Sequence, residues 1–163
     1  MLKEAQNHDS NLLDETDHSK ETNSNLSEAT DDNAHSQMRL GYMYQCGEGV
    51  LVNYKLAMEW YLKAHNNGNT NATNNIGYMY GHGQGVTADD KLALRWYLEA
   101  ANKGNSYAQN NVGSAYENGI GVNKDEQYAL KWYEKSAGQG IEKAKNSVVR
   151  LNKQGIYLSG NHF

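Results

Sequence analysis

Apolar positions recur along the chain at two helical spacings, and the whole pattern restarts every 36 residues. In the middle copy Ala72, Ile76, Met79 and Tyr80 stand at i, i+4, i+7 and i+8, one stripe of an α-helix. Ser36, Leu40, Met43 and Tyr44 precede them at the same register, and Ala108, Val112, Ala115 and Tyr116 follow. A second stripe is spaced i, i+3, i+4 and i+7: Ala93, Trp96, Tyr97 and Ala100. Its copies keep Ala57, Trp60 and Tyr61 in the first unit, and Ala129, Trp132 and Tyr133 in the third. Between the stripes lies a G-x-G-V turn, Gly47 to Val50, Gly83 to Val86 and Gly119 to Val122. Asn53, Asp89 and Asp125 then fall where a side-chain oxygen can accept from an unpaired N–H at a helix start. Gly68, Gly104 and Gly140 supply the left-handed residue that ends the second helix.

The pattern predicts an all-α fold, an α-α superhelix (solenoid) of three helix-turn-helix repeats over 34–69, 70–105 and 106–141. Ala144, Val148 and Leu151 continue the stripe into a half-repeat, a capping helix over 142–153, followed by a C-terminal tail over 154–163. Neither helix of a unit can hide its stripe alone, so neighbouring pairs must stack. The Trp-Tyr pairs Trp60-Tyr61, Trp96-Tyr97 and Trp132-Tyr133 are expected to be buried between helices. Gly41, Gly77 and Gly113 sit inside the first helix, where glycine costs about 1 kcal/mol against alanine. Their repetition at one register predicts close approach of a neighbouring backbone.

Charge divides the chain. Residues 1–33 hold nine acids and two lysines, a net of −7, and few large apolar side chains, so this stretch is expected to be a disordered acidic tail. Two other readings of it stand: an acidic arm competing for the basic remainder, and a degenerate helix around 19–30 capping the first repeat. Residues 34–163 hold thirteen bases and ten acids, a net of +3. The overall net charge of −4 gives no nucleic-acid footprint. No apolar run approaches the roughly 20 residues of a membrane helix, and the start lacks the apolar core of a secretory signal, so a cytoplasmic protein without membrane insertion is expected. Cys46 is the single cysteine, which excludes an internal disulfide. Proline is absent, so the 16 glycines, with asparagine and aspartate, must make the turns.

The middle unit reads Ala72, Ile76-Gly77, Tyr80, Gly83-x-Gly85-Val86, Asp89, Ala93, Trp96-Tyr97, Ala100-Ala101, Gly104. This pattern resembles the Sel-one-like repeat, a relative of the tetratricopeptide repeat, over residues 34–142 with a partial unit to about 153. The resemblance implies a non-catalytic adaptor that brings proteins together and needs no cofactor. Family members serve endoplasmic-reticulum quality control, chitin-synthase activation and bacterial signalling. A cysteine-rich bacterial branch is linked to penicillin binding and β-lactam hydrolysis. That branch carries paired cysteines in each repeat, and here Cys46 stands alone. A small hydrolase of that kind, and an adaptor in ubiquitin-linked quality control, are the alternative readings.

The resemblance also implies that first helices line a concave groove that holds a protein or peptide. Two residues beyond each core position is a rotation of about 200°, so the face opposite the core is fixed by geometry. It carries Met38 and Tyr42 in the first unit, Asn74, Tyr78 and His82 in the second, Asn110 and Glu117 in the third, and Asn146 and Arg150 in the half-unit. Asn74, Asn110 and Asn146 form a column of amides able to donate to and accept from a peptide main chain. Arg150 is placed to pair with a ligand carboxylate, and the two tyrosines to serve as aromatic anchors.

Other chemistry is thin. Cys46, His82 and Asn118 share one register, but two soft ligands one repeat apart do not make a closed zinc site, which takes four. Gly81-His-Gly-Gln-Gly85 faintly resembles a phosphate loop, but no strand precedes it, so it reads as a turn. Lys143, Lys145, Arg150 and Lys153 read as the solvated end of a terminal helix.

Overall fold

The computed structural model describes Ala29 and residues 33–158. Among these are seven helices and no strand: α1 (Ala34–Cys46), α2 (Tyr54–Asn66), α3 (Thr70–His82), α4 (Asp90–Asn102), α5 (Ser106–Asn118), α6 (Glu126–Gly138) and α7 (Glu142–Lys153). They divide into two compact units, one ending at Asn69 and one beginning at Thr70. The acidic tail expected over 1–33 lies outside the described residues apart from Ala29 and Asn33.

Local chemistry sets the helix ends. The second helix of every repeat is capped as the sequence predicts, with Asn53, Asp89 and Asp125 accepting from the N–H of Leu56, Leu92 and Tyr128 at 3.0, 2.9 and 2.8 Å. Two of the first helices, α1 and α5, are capped by asparagines that stand 72 residues apart, two periods of the repeat. Asn33 accepts from His35 and Ser36, and Asn105 from Ala108. Both glycines of each G-x-G-V turn have positive φ, as Gly83 (64°) and Gly85 (71°) illustrate, which a side chain at either place would strain.

In the first unit Leu40 and Met43 are buried with Ala29, while Val50 and Trp60 pack on them half-buried. The Gln37 amide donates to the Ala29 carbonyl at 3.0 Å. The same bond recurs 72 residues on, from Gln109 to Ala101. Ala29 therefore occupies the place that the end of a second helix fills before a later repeat, and it is itself helical.

Two of the buried clusters lie in the second unit. Leu94, Ala100, Ala101, Ala108, Val112, Ala115 and Trp132 form one. Ala129, Leu130, Tyr133, Ala144 and Leu151 form the other. Ile156 and Leu158 pack on that second core, so the segment after α7 has an anchored start where the sequence shows no periodicity.

Two expectations about the signature residues change. The Trp-Tyr pairs are not uniformly buried: Trp132, Tyr61 and Tyr133 are, whereas Trp60, Trp96 and Tyr97 are half-buried. The signature glycines make room for a ring rather than for a backbone. A Cβ on Gly113 would lie 2.7 Å from Cδ1 of Tyr133, and one on Gly77 would lie 2.8 Å from Cδ1 of Tyr97. Gly41 meets Tyr61 in the same way. At Gly77 a backbone atom, the Ala93 carbonyl oxygen, is also among the three nearest, at 3.1 Å.

Candidate functional site

The glycine–tyrosine contact brings each tyrosine hydroxyl to the exposed side of the first helix, four residues beyond its glycine. In the first unit the Tyr61 hydroxyl donates to Oε1 of Gln45 at 2.7 Å. In the third the Tyr133 hydroxyl donates to Oε2 of Glu117 at 2.8 Å. The equivalent position in the middle unit is Gly81, which has no side chain to offer. The Tyr97 hydroxyl has no hydrogen-bond partner among the described residues, and a cavity of about 460 Å³ opens beside it.

That cavity lies wholly within the unit that begins at Thr70. Its walls come from Tyr78, Gly81 and His82 of α3, Asp90, Ala93, Leu94 and Tyr97 of α4, Asn111, Ser114 and Ala115 of α5, Ile120, and Lys143 of α7. Burial holds the Tyr97 hydroxyl well above the ordinary tyrosine pKa, helped by Tyr78 and Asp90, so it stays a donor. His82 stacks on Tyr78 with ring centroids 3.8 Å apart, and its Nδ1 lies 2.9 Å from the Tyr78 carbonyl oxygen. A carbonyl only accepts, so Nδ1 is the donor in this contact.

The residues expected to line a groove are placed unevenly. Tyr42 and Tyr78 are 41% and 40% exposed, and the Arg39 guanidinium lies over the Tyr42 ring at 5.6 Å. Met38 and Asn74 are half-buried; His82 and Asn146 are exposed. Asn110 departs from its expected exposed register. It is only 7% exposed, and its Oδ1 is buried without a partner among the described residues. The amide that reaches Asn74 is its neighbour Asn111, whose Nδ2 donates to Asn74 Oδ1 at 2.9 Å. Doublets at Asn74-Asn75 and Asn110-Asn111 were the only sequence hint of this exchange.

Arg150 is not waiting for a ligand carboxylate. It donates from both terminal nitrogens to Glu117, with Nη2 at 3.0 Å from Oε2. The Arg150 hydrogen bond holds the Glu117 carboxyl below the ordinary glutamate pKa; burial opposes this and the Tyr133 hydroxyl adds to it. Burial, and then the bond to Glu117, push Tyr133 up to about 12. A carboxylate whose folded pKa is depressed stabilises fully above its unfolded value, about 4.3, and loses that contribution as pH falls through the folded value. Glu117→Gln should therefore cost about 1 kcal/mol at neutral pH, modest because Arg150 is half in water. Urea midpoints should show the gap to wild type shrinking at pH 3; an equal gap at both pH values would show that charge is not involved.

Cys46 is free and exposed. Among the described residues no three of histidine, cysteine, aspartate and glutamate converge as a metal site, and no helix is long and apolar enough to cross a membrane.

The decisive comparison is with repeat families. The Sel1 repeat profile matches residues 34–69, 70–105 and 106–141. The chain belongs to the Sel1 repeat family. No curated protein sequence matches it. Among solved structures it is similar to a Sel1 repeat protein from Oxalobacter formigenes, with TM-score 0.80 and 31% identity over 86% of this chain and 56% of that one. It is also similar to c5321, a protective antigen of uropathogenic Escherichia coli strains displaying an SLR fold (TM-score 0.72, 33% identity, 80% of this chain and 28% of that one). Cysteine rich protein B of Helicobacter pylori shares the fold at TM-score 0.64 and 21% identity, over 81% of this chain and 95% of that one. This Sel1 repeat chain thus spans about half the length of the Oxalobacter protein. Sel1 repeats are an all-α helical-repeat fold used typically as protein interaction scaffolds rather than as enzymes.

Proposed function

We infer that this Sel1 repeat chain is a non-catalytic adaptor that holds a protein or peptide partner against the outer face of its first helices. One observation carries the reading. On α3 the half-exposed Tyr78 ring, stacked with His82, stands at the rim of a cavity walled by four helices of the unit that begins at Thr70. Tyrosine is among the residue types enriched at the hot spots of protein interfaces. Asn74 and Asn146 contribute amides at the same register, and Met38 and Tyr42 repeat that register on α1. Asn110 and the Glu117–Arg150 pair shape this face without offering free groups, since the first is buried and the other two hold each other. The free, exposed thiol of Cys46 supports a reducing, cytoplasmic setting.

The test is affinity purification of the full chain from its native host with mass spectrometry, against a Tyr78→Ala, His82→Ala double variant. A partner that is captured by wild type and depleted at least tenfold by the variant, with unchanged helical circular dichroism, supports the adaptor. Equal capture by both proteins refutes this face.

A further inference from the structure

We propose that the cavity between Gly81 and Tyr97 binds the carboxylate of a peptide, which takes the place of a side-chain oxygen that the flanking repeats supply for themselves. The proposal deepens the adaptor reading and rests on it.

In the first and third repeats an oxygen at one position accepts from the buried tyrosine hydroxyl: Gln45 Oε1 at 2.7 Å and Glu117 Oε2 at 2.8 Å. The middle repeat has Gly81 there, and Tyr97 keeps a hydroxyl donor with no acceptor among the described residues. A second exchange clears the same space. Arg150, which clamps Glu117, corresponds 36 residues earlier to Ser114, a much smaller side chain on the cavity wall. The third repeat therefore displays the occupied form of the site, a carboxylate held by a tyrosine hydroxyl and a cation. The middle repeat displays the same recess without its carboxylate.

The cation is present as well. Lys143 lines the cavity and makes no ion pair among the described residues. A carboxylate placed near Tyr97 and Lys143 gains a charge-assisted bond from each donor. Asp90, also on the wall, selects among carboxylates. It repels any anion, a single carboxylate included, and that cost is offset only by a ligand that brings main-chain N–H groups for Asp90 to accept from, as a peptide does. An acidic residue within a peptide satisfies both walls, whereas a simple anion satisfies one.

The experiment uses nuclear magnetic resonance titration of the full chain with three probes. These are a doubly capped alanine–glutamate–alanine tripeptide, its glutamine counterpart, and an N-capped trialanine with a free C-terminal carboxylate. The glutamate peptide should shift the amides of Gly81, Ala93 and Ala115 saturably and bind at least tenfold tighter than the glutamine peptide. Equivalent binding by free-ended trialanine would assign the site to chain ends, and weaker binding to acidic side chains; either outcome supports the carboxylate. Tyr97→Phe and Lys143→Gln should each weaken binding about fivefold or more. Gly81→Glu should abolish it by refilling the recess from within. That variant is expected to fold, since a Cβ on Gly81 meets only the Ala93 Cβ, at 3.6 Å. Equal affinity for the glutamate and glutamine peptides, no binding of any probe, or undiminished binding by Gly81→Glu would overturn the proposal. A native partner lost in the Tyr78, His82 double variant but kept by Gly81→Glu would leave the adaptor standing and remove this subsite alone.

Discussion

Gly113→Val is expected to destabilise the protein by about 3 kcal/mol, the upper range for overpacking a core. The added Cβ would sit 2.7 and 2.8 Å from Cδ1 and Cε1 of Tyr133. That ring has nowhere to go. It is buried with Ala129, Leu130 and Leu151, and its hydroxyl is tied to Glu117. Helix propensity pulls the other way, since any residue but proline is favoured over an interior glycine, by up to about 1 kcal/mol for alanine. The balance therefore depends on the neighbour, and the chain contains its own control. Gly81 is also helical, but a Cβ there meets only the Ala93 methyl at 3.6 Å, an ordinary contact. Gly81→Ala should accordingly gain about 1 kcal/mol. Urea midpoints of the two variants should move in opposite directions from wild type. A Gly113→Val midpoint at or above wild type would show that the tyrosine ring yields freely.

The largest loss is expected at Trp132. Trp132→Ala should cost about 3–5 kcal/mol, the range for emptying a buried aromatic site. Trp132 is 4% exposed and packs with Leu94, Ala101 and Val112, where the α4–α5 and α6 contacts meet. The Tyr128 ring meets it edge-on at 6.2 Å, and the Lys135 ammonium lies over its face at 4.3 Å. Its Nε1 is buried without a hydrogen-bond partner among the described residues, so part of what the indole contributes is offset by an unmet donor. Trp132→Phe removes that donor and leaves a smaller void, so its cost should be less than half as large. Trp96→Ala should cost less than Trp132→Ala, because Trp96 is half-buried at the same register. Chemical denaturation of the three variants gives the order directly. Since whole domains hold only about 5–15 kcal/mol, Trp132→Ala should bring the unfolding midpoint close to ambient conditions. A midpoint shift smaller for Trp132→Ala than for Trp96→Ala would contradict the packing described.

The repeats, their turns and the second-helix caps were legible in the sequence because each rests on spacing within one helix or one turn. Asp125 four residues before Ala129, or Gly119-x-Gly121 before Val122, needs no knowledge of a neighbour. Positions that depend on how two helices meet were not legible in this way. A helical wheel gives an angle but no distance, so it placed Asn110 on the outer face while the structure buries it beside Asn111. It placed Arg150 and Glu117 on one face without revealing that they are partners 33 residues apart. The cavity escaped for a related reason. Gly81 looked like one more glycine before a turn, and its meaning lay in a comparison of Gln45, Gly81 and Glu117 that requires knowing which tyrosine each one faces.

The place shared by Gln45, Gly81 and Glu117 is decoupled from the packing beneath it. Three chemically unlike residues sit at one register over the equivalent tyrosine rings, and the helices that carry them keep the same length of 13 residues. Variation there, together with the position that carries Arg150 or Ser114, changes which groups a unit presents without first renegotiating the architecture. A tandem array so built is free to evolve its specificity unit by unit, each copy acting as a separate keyhole on a common doorframe.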